Sequence, residues 1–216
     1  MDDSGTRLIL VRHGETAANR EMRYIGSRDD TLTEHGQQQA QQLVDALVHL
    51  PLAAIYCSPR RRAQATAQPL AATLGLSLGI ADELRENAFG AWEGMSRAEV
   101  LAHSAAYAAH LRAWEADATV APPGGESIAA MTERVATFAL RLCVQHRGQS
   151  VVLVSHVGPV KALIAATLGA APGAVQRMFL DPATISVVDW ADERRVLRLF
   201  NSHAHLGWAN ARWMAG

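Results

Sequence analysis

Leu8-Ile9-Leu10-Val11-Arg12-His13-Gly14-Glu15-Thr16 decides how this 216-residue chain is read. A short continuous apolar run marks a strand buried on both faces, as in a parallel sheet covered by helices, and here it stops abruptly in a cation, an imidazole and a glycine. Two further stretches repeat the arrangement. Ala53-Ala54-Ile55-Tyr56-Cys57 ends in Ser58-Pro59-Arg60-Arg61-Arg62, and Val151-Val152-Leu153-Val154 ends in Ser155-His156-Val157-Gly158-Pro159. Helical periodicity fills the gaps: residues 34–50, with Leu43, Val44, Leu47 and Val48 on one face; residues 61–74; and residues 127–146, with Met131, Val135, Phe138 and Leu142. Strands alternating with helices predict an α/β sheet. Residues 184–190 and 195–200 flank Ala191-Asp192-Glu193-Arg194 and predict a hairpin, which adds an antiparallel strand and makes the sheet mixed. Residues 95–114 read as one Ala-rich helical stretch, closed by Ala121-Pro122-Pro123-Gly124-Gly125, the strongest break in the chain. The expectation is a single domain over residues 1–216, with a helical insertion at about residues 95–123.

Composition narrows the function classes. Hydrophobic residues make up 49% and charged residues 19%, enough apolar surface for a full core, which excludes global disorder. Twenty Lys and Arg against 21 Asp and Glu give a formal charge of -1, so no net field draws the chain to nucleic acid or anionic lipid. Any anion binding must be local. Cys57 and Cys143 have no zinc or redox spacing and read as reduced core residues. The acidic start Met1-Asp2-Asp3-Ser4-Gly5 has no basic region ahead of a long apolar run, and no segment reaches the length of a transmembrane helix. A cytoplasmic location is expected.

In an open α/β sheet the functional crevice lies outside the carboxyl ends of the strands. Arg12, His13, Arg62 and His156 all stand at or just beyond such ends. If their strands are neighbours, two guanidiniums and two imidazoles face one volume, a cluster that a phosphoryl group neutralises with bidentate geometry. With neither Walker glycines nor a carboxylate cage, these cations must do the electrostatic work. A neutral imidazole can attack phosphorus and split one hard step into two, and His13 between Arg12 and Gly14 is the better placed nucleophile. The leaving alkoxide needs a proton from a carboxylic acid: Glu86 fits by its semi-apolar, loop-like setting, with Glu15 and Glu83 as rivals.

These residues fall into ordered blocks. Arg12-His13-Gly14-Glu15-Thr16 with Asn19, Gly26, Asp29, Leu32, Thr33 and Gly36 resembles the opening signature of the histidine phosphatase superfamily, the phosphoglycerate mutase-like family. Ser58-Pro59-Arg60-Arg61-Arg62-Ala63, Glu86 with Phe89-Gly90 and Trp92-Glu93-Gly94, Gly124-Gly125-Glu126-Ser127, and Ser155-His156 are similar to its later blocks in the same order. The resemblance implies a three-layer α/β/α sandwich with a mostly parallel mixed sheet. It implies that His13 becomes phosphohistidine, that Glu86 protonates the leaving oxygen and then activates water, and that Arg12, Asn19, Arg62 and His156 hold the phosphoryl oxygens. The Val157 backbone N–H and the turn at Gly26 complete the implied contacts, and no metal or cofactor is implied.

Within the family, mutases usually carry Trp before the asparagine and Arg-His after the glutamate. Here those positions are Ala18 and Asn87-Ala88, and the insertion is short, which favours a phosphatase over the alternatives of a cofactor-dependent mutase or a catalytically silent phospholigand-binding protein. Residues 155–163 are similar to alpha-ribazole phosphatase-like domains, with Lys161 where the commoner pattern has Arg. Substrate choice is expected in residues 22–28 and 95–123, where Tyr24, Trp92, Tyr107 and Trp114 either stack on a ring or pack. A small phosphoester is the expected partner. His203 and His205 read as a tail rather than a metal pair, and Trp208 and Trp213 as anchors for that tail or for a homodimer contact.

Overall fold

The computed structural model describes residues 5–191 and 194–212. Met1–Ser4, Asp192, Glu193 and Trp213 lie outside the described residues, so the acidic start, the tip of the expected hairpin and one of the two tryptophan anchors are not placed.

Six strands form one sheet in the order β3-β2-β4-β1-β5-β6: β1 (Thr6–Arg12), β2 (Leu52–Cys57), β3 (Leu78–Ile80), β4 (Ser150–Ser155), β5 (Ile185–Trp190) and β6 (Arg195–Ser202). The first four in that order run parallel, while β5 is antiparallel to both β1 and β6, so the sheet is mixed as expected. Register is the feature that matters for function. Arg12 pairs with Ser155 and Cys57 with Val154, so β1, β2 and β4 end level with one another. His13, Ser58 and His156 are the next residues on each strand and emerge at one edge.

Side-chain alternation along β1 builds the layers. Leu8 and Leu10 face α6 (Ile128–Gln145) and α7 (Val157–Thr167), in a core with Met131, Phe138 and Leu163. Ile9 and Val11 face α2 (Glu34–Leu47) and α3 (Arg61–Leu74), in a core with Leu43, Leu47 and Leu70. These side chains are at most 6% exposed, and each contributes about 1.5–3 kcal/mol by burial. Helices on both faces complete the three-layer α/β/α sandwich.

Two helix predictions need correction. The α2 helix stops at Leu47 rather than reaching Leu50, because Leu50 precedes Pro51, whose ring disfavours the helical conformation in the residue before it. The stretch expected as one helix over residues 95–114 is two, α4 (Arg97–His103) and α5 (Ala105–Ala116). Ser104 sits between them in extended conformation, and its hydroxyl accepts from the Tyr107 N–H at 3.2 Å, so a cap replaces the missing turn. Their small core of Trp92, Val100 and Leu111 packs with Tyr24, Phe89 and Trp114. The short strand β3 was not expected; Gly79 lets it lie against the Tyr56 ring, which a Cβ there would meet at 2.5 Å.

Candidate active site

A cavity of about 380 Å³ opens at the carboxyl edge of β1 and β4. Arg12, His13, Arg62 and Glu86 form its polar floor, and Asn19 and Val157 also line it. Gly26 and His156 do not. A wider depression around Thr31, Arg61 and Ala65 lies apart from these residues.

His13 is 3% exposed, and its Nδ1 lies 2.7 Å from the Gly14 carbonyl oxygen. A carbonyl only accepts, so Nδ1 carries the proton and the lone pair is on Nε2. Gly14 is required by close approach: a Cβ there would sit 2.6 Å from the Gly36 carbonyl oxygen. Beneath His13, with ring centroids 5.0 Å apart, lies the fully buried His156. Arg62 Nε donates to His156 Nδ1 at 3.3 Å, so Nε2 bears the proton and donates to Ser58 Oγ at 2.7 Å. Burial above all, then the positive charge of Arg62, holds both imidazoles well below their ordinary pKa of 6.5. Both are neutral at pH 7.

The cations are placed by backbone carbonyls. Arg12 Nη1 donates to the Leu180 oxygen at 2.5 Å. Arg62 Nη1 donates to the Arg28 oxygen at 2.7 Å, and its Nη2 to the Ile25 and Gly26 oxygens at 3.4 Å. Burial lowers Arg12 to about 10, against the opposing pull of Glu86, and also lowers Arg62. Arg12 keeps its charge at pH 7.

Of the three candidate carboxylates only Glu86 lines the cavity among the described residues. Glu15 accepts from Thr33 Oγ1 at 2.9 Å, and Glu83 is paired with Arg141. Glu86 is 5% exposed, and its carboxylate accepts from the Asn87 N–H at 2.9 Å and from the Gly158 N–H in the first turn of α7 at 3.1 Å. Burial raises its pKa, while those N–H groups, Arg62 and Arg12 work the other way. A raised acid thus shares one cavity with a depressed base.

Asn19 belongs to the short helix α1 (Ala17–Arg20), where its Oδ1 accepts from the Thr16 N–H at 3.2 Å in a capping box. Gly26 stands behind the wall, its N–H donating to the Glu93 carboxylate at 3.1 Å, and a Cβ there would meet the Asn87 carbonyl oxygen at 2.0 Å. Close packing explains this glycine. Glu93 Oε1 also accepts from the N–H groups of Ser27 at 2.9 Å and Phe89 at 3.2 Å, tying residues 25–27 to residues 86–90.

The upper wall is apolar, with Tyr24, Phe89, Trp114, Met131 and Phe179. Tyr24 and Trp114 therefore line the cavity, whereas Trp92 is fully buried in the small core and Tyr107 packs on His103 with centroids 4.3 Å apart. Arg23 lines the cavity too, within the stretch 22–28 expected to bear on substrate choice though not singled out there; sequence reasoning missed Arg212 and assigned no cavity contact to Lys161. Arg23 is paired with Glu21 and Glu99 at 2.6 and 2.8 Å. Lys161 is one helical turn beyond Val157, on the same face of α7, a spacing that could have flagged it. Burial lowers its ammonium to about 8.

No helix of the described residues is long and apolar enough to cross a membrane. The sequence profile of the histidine phosphatase superfamily (branch 1) matches residues 8–203. The chain is 37% identical over 203 residues to the bifunctional protein Rv2228c of Mycobacterium tuberculosis, covering 93% of this chain and 55% of that protein, so it spans about half the length of that relative. It is 34% identical over 206 residues to the adenosylcobalamin/alpha-ribazole phosphatase of Escherichia coli, covering 95% of this chain and 100% of that one. The crystal structure of a phosphoserine phosphatase from Entamoeba histolytica superimposes with a TM-score of 0.82 at 32% identity, covering 94% of this chain and 100% of the other.

Proposed function

Because the chain belongs to the histidine phosphatase superfamily, we propose that it hydrolyses phosphomonoesters of small metabolites through a phosphohistidine on Nε2 of His13, without a metal ion. The observation that carries this reading is the Nδ1 contact to the Gly14 carbonyl, which leaves the Nε2 lone pair of a neutral ring free in a cavity floored by Arg12 and Arg62. The phosphoryl group of the substrate sits between those guanidiniums, with Asn19 and the N-terminus of α7 at Val157 as further ligands. His156 acts from below, neutral and bound to Arg62, and sets the orientation of that guanidinium rather than touching substrate. Gly26 acts through packing.

In the first step Nε2 of His13 attacks phosphorus, the P–O bond to the alcohol breaks, and protonated Glu86 delivers its proton to the departing oxygen. In the second step ionised Glu86 takes a proton from water, whose oxygen attacks phosphorus, the P–N bond breaks, and inorganic phosphate and neutral His13 are regenerated. The raised pKa of Glu86 suits the first role and the short N–H contacts from Asn87 and Gly158 stabilise its ionised form in the second. The relatives' names, phosphatases of phosphorylated small molecules, support the same class of substrate.

The test is a quench of the full chain during turnover of a labelled phosphomonoester in the presence of chelator. An acid-labile, alkali-stable phosphoryl adduct is expected on wild type and none on His13→Ala, which turns over nothing. Normal turnover by His13→Ala refutes the reading.

A further inference from the structure

Resting on the reading of Arg12 as a phosphoryl ligand, we propose that His203 is a positioning residue for the active site: through Asp181 it fixes the turn at residues 180–184 that aims the Arg12 guanidinium. Arg12 Nε is buried with no hydrogen-bond partner among the described residues, so the aim of the group rests on the contact from Nη1 to the Leu180 carbonyl. That carbonyl begins a turn which also holds the nucleophile's backbone, since the Ala183 N–H donates to both the Arg12 and the His13 carbonyl oxygens, at 3.0 and 3.1 Å. Ala183 has φ +56°, a left-handed conformation that a residue with a Cβ keeps only where its surroundings enforce it.

The enforcing groups come from the end of β6, at Asn201, and from the segment that follows it. Asn201 Oδ1 accepts from the Asp181 N–H at 3.0 Å, His205 Nε2 donates to the Ala183 carbonyl oxygen at 2.9 Å, and His203 Nε2 lies 2.6 Å from Asp181 Oδ2. His203 and Asp181 are 2% and 1% exposed, and Arg212 Nε lies 3.9 Å from the other Asp181 oxygen. Burying a carboxylate here is costly unless it is well bonded, and as a stability device alone an apolar pair of similar volume serves equally well. What the pair adds is direction: Asp181 is the residue after Leu180, so a carboxylate pinned by His203 pins the carbonyl that holds Arg12. The tail reading of His203 from sequence is corrected accordingly. It is a buried brace beneath the catalytic edge.

The experiment measures the affinity of the full chain for inorganic phosphate by calorimetry, alongside steady-state hydrolysis of a chromogenic phosphomonoester. His203→Ala is expected to weaken phosphate binding about 5- to 50-fold and to raise KM with it, the effect of disordering one charge-assisted contact. His203→Gln, whose amide reaches Asp181, restores affinity to within about twofold of wild type. In an Arg12→Lys background, His203→Ala changes affinity by less than about twofold, because the group it aims is gone. Should His203→Ala not fold, His203→Asn, too short to reach Asp181, takes its place with the same expectations. Unchanged phosphate affinity in the folded variant, equal losses in both backgrounds, or no rescue by glutamine overturns the proposal. Phosphate binding is read separately from turnover, so a wild type that binds phosphate and hydrolyses nothing refutes the hydrolase reading and leaves this test standing.

Discussion

Replacing Glu86 by glutamine separates the two tasks assigned to that side chain. The substitution keeps size and one acceptor oxygen, so the contacts from the Asn87 and Gly158 N–H groups at 2.9 and 3.1 Å survive. It removes a group whose pKa is raised mainly by burial, so the folded state loses no ionised partner that it depends on, and Tm should hold or rise slightly. Catalysis is different. General acid–base transfer contributes about 10²- to 10⁴-fold, and both steps use it, so hydrolysis of an alkyl phosphate should fall by that factor at each step. With p-nitrophenyl phosphate the leaving group departs without a proton, so the first step is spared while the second still lacks its base. Stopped-flow absorbance should then show a burst of nitrophenolate equal to the enzyme concentration, followed by turnover slower by about 10²-fold or more, as phosphohistidine accumulates. An alkyl phosphate hydrolysed at the wild-type rate, or equal slowing of both substrates without a burst, refutes the assignment of Glu86.

Lys161, lowered to about 8, loses its charge as pH rises through that value, so KM for an anionic substrate should climb above about pH 8 in wild type and stay level in Lys161→Arg; identical profiles refute a role for the ammonium. In Gly158→Ala the new Cβ would sit 2.4 Å from Glu86 Oε1 and 2.8 Å from Met131 Sδ. These are movable side-chain ends, so kcat should drop about 10- to 100-fold with little change in Tm. Gly26→Ala instead drives a Cβ to 2.0 Å from the Asn87 carbonyl oxygen, and a loss of about 1–3 kcal/mol in a denaturant titration is expected. His13 and His156 are depressed below 6.5, so under acid the unfolded chain binds more protons than the folded one, and stability falls as pH drops through that value. Each histidine contributes up to about 1.4 kcal/mol per pH unit, and Glu86, raised in the folded state, acts in the opposite sense as pH rises above 4.5. The loss of stability between about pH 7.5 and pH 5 should be smaller in His13→Ala than in wild type; an equal slope counts against a buried neutral ring.

The sheet was legible because the continuous apolar runs that stop at Arg12-His13, Ser58 and Ser155-His156 read as strands buried between helical layers, and the cations or imidazoles at or shortly after each end point to one edge. Arg61–Leu74 is a helix with the boundaries that its periodicity predicts, whereas β3, three residues long, leaves no pattern to detect. The Ser104 break was missed because Ala-rich sequence on both sides favours helix and a single hydroxyl decides the cap. Arg212, the turn at residues 180–184 and the brace from His203 were illegible for another reason: each contact joins groups far apart along the chain, and no local spacing encodes it.

Glu93 gives the cavity a mechanical property. One carboxylate grips Gly26, Ser27 and Phe89 by their backbones, so two wall segments that are far apart in the chain share a single rivet, and neither can shift without dragging the other. Side chains such as Tyr24 and Phe89 hang from that fixed frame. They can be exchanged to suit a different ligand while the floor of Arg12, His13 and Arg62 stays where it is.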